Sequence, residues 1–272
     1  MGKKVVDWIN ARMGFDQEWR DSRFARRNEK EIEVGLGFNI RDLAGYRSAD
    51  RRHILPWRYL RAGDTSGLDR EGVYKLRGKG VRRVLDLRGK LERPELTDVF
   101  AREGGVDWKN VPLFDYDTQV ELIEPVRPTD NFVTQNYIKL LSDKDNVARA
   151  ITFLAETPEG ACALYHCAAG LDRTGIVSLL LLGSVGVSRR EIMRDYGYSL
   201  GTMEEINELV AQWDGEQHEG VDFELWRRVD AIACVYDTLM ERFGSPVDYL
   251  RDCGVDEKTL KRLERHLLDP RG

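Results

Sequence analysis

The sequence predicts an α/β fold, in which a mixed or parallel central sheet is flanked by helices and the C-terminal half is rich in helix. Three short stretches, 81–89, 106–114 and 160–167, contain the β-branched and apolar residues that are typical of buried strands. Helical patterns lie between and after these stretches, and strands interleaved with helices form sheets that carry helices on their faces. The apolar run IVSLLLLGSVGV, residues 176–187, follows the third strand and predicts a buried helix.

The first 30 residues are predicted to form a helical extension. Val5, Ile9 and Met13 recur at a spacing of four, which gives one apolar stripe along a charged helix. We expect this stripe to pack on the core or on a second copy in a homodimer. The rest of the chain, 31–270, is expected to form one domain.

The segment before the first strand is predicted to be irregular, with one short helix. GFNIRDLAGY, residues 37–46, has no clear period. In residues 61–80, Thr65 and Ser66 resemble a cap before a short helix that ends in glycines. The remaining helices are predicted at 129–142, 144–157, 188–198, 202–213, 228–243 and 256–268.

Composition excludes several classes of protein. The chain has 272 residues and a net charge of −5, so its overall charge does not favour binding to nucleic acid or to an anionic membrane. The apolar run at 176–187 is too short to span a bilayer, and no apolar core of a signal peptide occurs near residue 1. We therefore expect a cytoplasmic protein without stable membrane insertion.

The cysteines and histidines do not form a framework. The four cysteines are too few and too scattered for a disulfide scaffold, and the four histidines form neither HExxH nor a cluster with cysteine. The sequence therefore predicts no metal site and no cofactor, and in a reducing compartment a single cysteine can remain a reactive thiol.

The stretch HCAAGLDRTG, residues 166–175, carries the chemistry of this sequence. It lies between the third strand and the buried helix, so the backbone N–H groups of the turn and of the first helical turn converge on one point. Such a turn binds an anion the size of a phosphate. Its candidate phosphate-binding residues are Ala168, Ala169, Gly170, Leu171, Asp172 and Arg173. The planar guanidinium of Arg173 can bond two phosphate oxygens at once.

Cys167 begins this turn, and the converging N–H groups favour its thiolate form. A thiolate there can attack phosphorus and form a cysteinyl-phosphate, which divides hydrolysis into two easier steps. Thr174 can hydrogen-bond the sulfur when it leaves, and His166 can orient the loop. Asp172 is a candidate to protonate the leaving oxygen and then to accept a proton from water. The alternative is a core cysteine before a helix, although only Cys167 among the four cysteines has an arginine six positions on.

At this loop the sequence resembles the protein tyrosine phosphatase superfamily, and its HCxxGxDRTG form is similar to the atypical bacterial tyrosine phosphatases, which are related to triple-specificity and lipid phosphatases. Further segments are similar to that group, namely NIRDLAGY (39–46), RYLRAGDTSGL (58–68), VLDLRGKLERPE (84–95) and VDYLRDCGVDEKTLKRLERHLLD (247–269). The resemblance covers about residues 31–270. It implies a tyrosine phosphatase-like fold and a catalytic domain over that range.

The resemblance implies a metal-independent phosphomonoester hydrolase, and a protein tyrosine phosphatase first of all. Cys167 takes the role of the nucleophile, Arg173 that of the phosphate clamp and Asp172 that of an acid inside the loop. Conventional members place the acid on a WPD loop, and no WPD tripeptide occurs here. Asp115 and Asp117, after the second strand, are the other candidates for the acid, or else a solvated pair in a loop.

Two classes of substrate fit the sequence, a phosphorylated protein and a small phosphomonoester such as a nucleotide, a sugar phosphate or an inositol phosphate. The loop does not distinguish them, because it binds only the phosphate group. Lipid-active relatives often carry a lysine where this sequence has Leu171, so a less charged substrate is favoured. A sulfur transferase or arsenate reductase needs no acid inside the loop, and Asp172 argues against it. The intact Cys167 and Arg173 argue against a phosphatase-like binding protein.

Several residues outside the loop are candidates to support it. Asp86 and Arg88 lie at the end of a predicted strand, where sites of α/β sheets form, so Arg88 can reach the substrate, brace the loop or form a structural ion pair. Asn39, Arg41 and Asp42 are predicted to be scaffold for the loop rather than to act in the reaction.

Two further features have alternative interpretations. Cys162 lies five residues before Cys167, so it can either form a protective disulfide with it on oxidation or fill the core. The stretch 188–227 can form a lid over the site, or its aromatic residues can belong to the core. These aromatic residues are Tyr196, Tyr198, Trp213 and Trp226.

Overall fold

The computed structural model describes residues 32–34, 37, 39–90, 98–113, 121–123, 132–199 and 221–270, with side chains for all of them except 132 and 221–230. The strands of this part are β1 (Arg41–Asp42), β2 (Tyr59–Ala62), β3 (Val81–Asp86), β4 (Asp107–Asn110) and β5 (Cys162–His166). They form one sheet in the spatial order β1-β2-β5-β3-β4. β1 is antiparallel to β2 and all other neighbours are parallel, so the predicted mixed sheet is confirmed.

Helices cover the sheet. They are α1 (Arg70–Gly78), α2 (Phe132–Ser142), α3 (Lys144–Ala155), α4 (Asp172–Ser184), α5 (Val221–Phe243), α6 (Pro246–Asp252) and α7 (Glu257–Leu267), with a 3₁₀ turn at Val99–Arg102. Residues 189–199 are also helical. The predicted helices at 1–30 and 202–213 lie outside the described residues. Within the described ranges, no helix is long and apolar enough to cross a bilayer.

The cap predicted for the first helix was wrong. Asp69 caps α1, because its carboxylate accepts a hydrogen bond from the Gly72 N–H at 2.8 Å. Thr65 lies too far ahead of the helix, and its hydroxyl donates to Asp98 at 2.9 Å instead. A second aspartate, Asp256, caps α7 in the same way by accepting a hydrogen bond from the Thr259 N–H at 2.7 Å.

Hydrophobic cores lie on both faces of the sheet. Along β5, Cys162 and Leu164 belong to the smaller core, which includes α1. Ala163, Tyr165 and the following Cys167 belong to the larger core, which includes the helices from α2 to α7. A strand that is buried on both faces reads as a continuous apolar run, which is why the β5 sequence lacks alternation.

This arrangement separates Cys162 from the loop and decides between its two interpretations, a disulfide with Cys167 and a core residue. From Cys162 to His166 the chain is extended, which places the Cα atoms of these two residues about 13 Å apart. The Cα atom of Cys167 is about 3.8 Å from that of His166, so it lies at least about 9 Å from that of Cys162, whereas a disulfide requires less than about 7 Å. Burial also raises the pKa of the Cys162 thiol. Cys162 is therefore a core residue.

The parallel strands end together at one edge of the sheet. Ala62 at the end of β2 and Asp86 at the end of β3 both lie opposite His166 at the end of β5. The residues that follow these three strands therefore surround the start of the loop that leads from β5 to α4.

Candidate active site

The loop 167–171 joins β5 to α4 and is held by backbone hydrogen bonds from both neighbouring strand ends. The Leu87 N–H donates to the carbonyl of His166 at 2.9 Å, and the Asp64 N–H donates to the carbonyl of Ala168 at 2.8 Å. On the helix side, the Gly175 N–H donates to the carbonyl of Leu171 at 2.8 Å. The conformation of the loop is thus set by the elements around it.

The carbonyl groups of the loop point outward. In addition to the bond that Ala168 accepts, the Asn39 side-chain amide donates to the carbonyls of Ala169 at 3.1 Å and Gly170 at 3.0 Å. In a trans peptide the C=O and N–H point in opposite directions. The N–H groups of Ala169, Gly170 and Leu171 therefore point into the loop, next to the N–H groups of the first turn of α4. This geometry suits a phosphate.

Gly170 can hardly be replaced in this loop. Its φ is +66°, a conformation that favours glycine. A Cβ at this position would lie 2.6 Å from the carbonyl oxygen of Ala62 and 2.6 Å from the nitrogen of Gly63. The loop packs against the end of β2 closely enough that no side chain fits between them.

Two buried arginines brace the loop from outside. Arg61 on β2 donates to the carbonyl of Gly170 at 2.9 Å and pairs with Asp195. Arg41 on β1 donates to the Asp195 carbonyl at 2.7 Å and to the Asn39 side-chain oxygen at 2.5 Å, which turns the Asn39 amide group toward the loop. Ser199 accepts from both arginines, at 2.9 and 3.0 Å.

The pKa shifts of these arginines follow from burial and from their shared partner. Burial and the charge of Arg61 lower the pKa of Arg41. Burial acts in the same direction on Arg61, but Asp195 outweighs it and the pKa of Arg61 is raised. Asp195 is therefore the carboxylate that both buried guanidinium groups share. The sequence does not predict a role for Asp195, Arg61 or Ser199.

Cys167 lies at the bottom of the loop and is 2% exposed. The Thr174 hydroxyl donates to its sulfur at 3.1 Å. Such a bond stabilises a sulfur that carries negative charge more than a neutral thiol. Arg173, in the first turn of α4, is half-buried beside this pair.

His166 stands behind the loop in a buried pair with Asp98. Its Nε2 lies 2.8 Å from Asp98 Oδ2, and its Nδ1 lies 3.3 Å from the carbonyl oxygen of Cys167. Burial alone lowers the pKa of His166 and raises that of Asp98, but the hydrogen bond and charge that they exchange outweigh it. As a result the pKa of His166 is raised and that of Asp98 is lowered to about 2. The protonated imidazole can donate from both nitrogens and so fixes the start of the loop.

Asp86 and Arg88 form a buried ion pair at the same edge. Arg88 donates to Asp86 Oδ1 at 3.0 Å and to Oδ2 at 2.9 Å, and its remaining amino group donates to Asp64 at 2.7 Å. Burial lowers the pKa of Arg88, but Asp86 outweighs it and the pKa is raised. This geometry favours a brace over a substrate contact.

Asp86, Asp98 and His166 lie close enough together to be compared with a metal site. Arg88 neutralises Asp86 with two hydrogen bonds, and His166 is bonded to Asp98. Asp98 also accepts from the Trp108 indole N–H at 2.8 Å. The protein's own donors therefore satisfy these carboxylates, as expected of a structural network.

Asp172 is half-buried at the first position of α4 and bonds a tyrosine. The Tyr137 hydroxyl donates to Asp172 Oδ1 at 2.5 Å and lies 2.6 Å from the Tyr196 hydroxyl. The other two candidates for the acid, Asp115 and Asp117, lie outside the described residues.

Only the first part of the predicted lid is described. In that part, Asp195 is buried and pairs with Arg61, and Tyr196 is buried against α4 at Gly175, so these two residues belong to the core that supports the loop. Tyr198 is half-buried, with its ring 5.9 Å from the Arg41 guanidinium. Trp213, and the side chain of Trp226, are outside the described part of the chain.

The pair formed by His166 and Asp98 predicts a defined pH dependence of stability. Ionised Asp98 stabilises the fold above pH 3.8, the ordinary pKa, and this is lost as pH falls through about 2. Protonated His166 stabilises it below pH 6.5, the ordinary pKa, and this is lost as pH rises through the raised value. Asp98→Asn should therefore lower the free energy of unfolding by about 2 kcal/mol near pH 5.5.

Urea unfolding at pH 3, 5.5 and 9 checks this prediction. The difference between Asp98→Asn and the unmodified protein should be largest at pH 5.5. Asp107→Asn is the matched control, because Asp107 also pairs with an arginine but its side chain is 59% exposed, and we expect less than about 1 kcal/mol. A constant difference at all three pH values would contradict the assignment.

The sequence of this chain is similar to those of known proteins. Residues 32–269 match the sequence model of the tyrosine phosphatase family. A tyrosine-protein phosphatase of Nostoc commune is 25% identical over an alignment of 217 residues that covers 77% of this chain and 74% of that protein. The triple specificity protein phosphatase PtpB of Mycobacterium tuberculosis is 28% identical over an alignment of 286 residues that covers 87% of this chain and 98% of that protein.

Proposed function

Because the chain belongs to the tyrosine phosphatase family, we propose that Cys167 is its nucleophile and that phosphotyrosyl proteins are its substrates. The protein is a cysteine-dependent phosphatase, and its family implies a cysteinyl-phosphate intermediate. The resemblance noted in the sequence is thereby confirmed. The match over 32–269 supports a catalytic domain at 31–270, preceded by an extension at 1–30.

The observation that carries the proposal is the Thr174 hydrogen bond to the Cys167 sulfur inside a loop whose N–H groups point inward. In the first step the sulfur forms a bond to phosphorus, the P–O bond to the leaving group breaks, and Asp172 gives that oxygen a proton. In the second step water attacks phosphorus and gives its proton to Asp172, and the S–P bond breaks. Thr174 then stabilises the released thiolate, while Arg173 holds two phosphate oxygens in both steps.

Two features support a phosphotyrosyl substrate. Cys167 is nearly fully buried, so a phosphate must reach down to it, and the phosphotyrosine ring provides length that phosphoserine lacks. The Leu171 side chain is buried in the larger core, so at this position the loop presents no additional cation for a multiply phosphorylated ligand.

Phosphate release in EDTA tests the proposal, with Cys167→Ser as the blank. The panel contains phosphotyrosyl and phosphothreonyl peptides, phosphoinositides and nucleoside monophosphates. We expect kcat/KM for phosphotyrosyl peptides to exceed the other values by about tenfold or more. Preference for a soluble metabolite would instead favour a small-molecule phosphatase on the same fold.

A further inference from the structure

A pair of tyrosine hydroxyls stands behind Asp172. Tyr137, on α2, lies 2.5 Å from Asp172 Oδ1, and Tyr196, in the helical segment 189–199, lies 2.6 Å from Tyr137. Both tyrosines are buried, at 2% and 1% exposure, whereas Asp172 is half-buried. The three groups thus form a hydrogen-bonded series that runs from the core to the loop.

The chemistry of the three groups decides which of them donates each hydrogen bond of this series. An ionised carboxylate only accepts hydrogen bonds, and each tyrosine has one proton to donate. Tyr137 therefore donates to Asp172, and Tyr196 donates to Tyr137.

The packing around α4 keeps this hydrogen-bonded series in place. A Cβ at position 175 would lie 2.8 Å from the ring of Tyr196. The last glycine of the HCAAGLDRTG stretch therefore admits Tyr196 against the helix that carries Asp172. The absence of a side chain at this glycine provides the space that the tyrosine pair requires.

We propose that Tyr137, supported by Tyr196, is a positioning residue that fixes the orientation of the Asp172 carboxyl group for proton transfer to the leaving oxygen. This inference rests on the proposed function, in which Asp172 is the general acid. Tyr137 keeps the same hydrogen bond when Asp172 later accepts a proton from water, so one contact serves both steps. A purely structural role, which would tie α2 to α4, predicts no dependence on the leaving group.

Tyr137→Phe separates the two roles when the substrates are aryl phosphates of different leaving-group ability. With phenyl phosphate, whose leaving group needs a proton, kcat should fall about tenfold. With 2,4-dinitrophenyl phosphate, whose leaving group needs none, kcat should stay within about twofold. Tyr196→Phe should show the same pattern more weakly, because Tyr137 keeps its bond to Asp172.

Tyr249→Phe is the matched control. Tyr249 is a fully buried tyrosine whose hydroxyl donates to the carbonyl of Leu141 on the same helix α2, so the variant loses one buried hydroxyl at a distance from the loop. It should change both rates by the same factor. In the Asp172→Asn background, Tyr137→Phe should add no further dependence on the leaving group.

The outcomes distinguish this inference from the proposed function. Equal losses on both substrates from Tyr137→Phe, alongside a leaving-group-dependent loss from Asp172→Asn, would overturn the positioning role alone. If Asp172→Asn itself shows no such dependence, the acid assignment fails and the inference fails with it.

Discussion

Replacement of Cys167 by serine should lower kcat by about 10⁴-fold or more, because a serine hydroxyl stays protonated where the cysteine provides a thiolate. The cradle that binds phosphate consists of backbone N–H groups and Arg173, and the substitution leaves both intact. Binding of a phosphotyrosyl peptide, measured by calorimetry, should therefore change only a fewfold. Rapid-mixing assays should show no phosphoenzyme.

Cys253→Ser provides the control for this variant. Cys253 is buried near the end of α6, where burial raises the pKa of its thiol to about 11. Its substitution should leave kcat within about twofold. If Cys167→Ser kept a rate within tenfold of the unmodified protein, another group would have to be the nucleophile.

The sequence predicts the loop well because the loop is a local structure. The strand that ends at His166, the glycine with positive φ and the helix that starts at Asp172 all lie within a few residues of Cys167. Local spacing also places Thr174 on the sulfur, since the first turn of α4 passes over the start of the loop. The chemistry of this segment thus depends little on the rest of the chain.

The outer brace could not be predicted in the same way. Arg61 bonds Asp195, 134 residues further along the chain, and periodicity says nothing about such a pairing. One signal was available, because Arg61 is a charged residue between Leu60 and Ala62 in a strand that is otherwise apolar. A buried arginine requires a buried acceptor, so this strand predicts an acidic partner for Arg61 elsewhere in the chain.

The residues with several interpretations show the same limit. The sequence allows three roles for Arg88, namely a substrate contact, a brace and an ion pair, because its position at a strand end permits all three. The structure gives it two carboxylate partners, Asp86 and Asp64, the second of them on a different strand end. The residue type of Thr65 predicts a helix cap, but its hydroxyl donates a hydrogen bond to Asp98, which lies 33 residues further along the chain.

Asp172→Asn is the second substitution with a large expected effect. Asparagine has the shape of aspartate and can still accept the Tyr137 hydrogen bond, so the loop should keep its conformation, but its amide cannot supply a proton. We expect kcat for phenyl phosphate to fall by about 10²- to 10³-fold, which is the usual contribution of a general acid. For 2,4-dinitrophenyl phosphate the loss should be about tenfold or less, because that leaving group departs as the anion.

The comparison with the loop aspartates decides which carboxyl group is the acid. Asp115→Asn and Asp117→Asn should each leave the ratio of the two rates within about twofold of the unmodified protein. Equal losses from Asp172→Asn and Asp115→Asn on phenyl phosphate would mean that no single one of these carboxyl groups is the acid. A leaving-group dependence confined to Asp115→Asn would move the acid out of the loop, and the bond between Tyr137 and Asp172 would then tie α2 to α4 without a part in proton transfer.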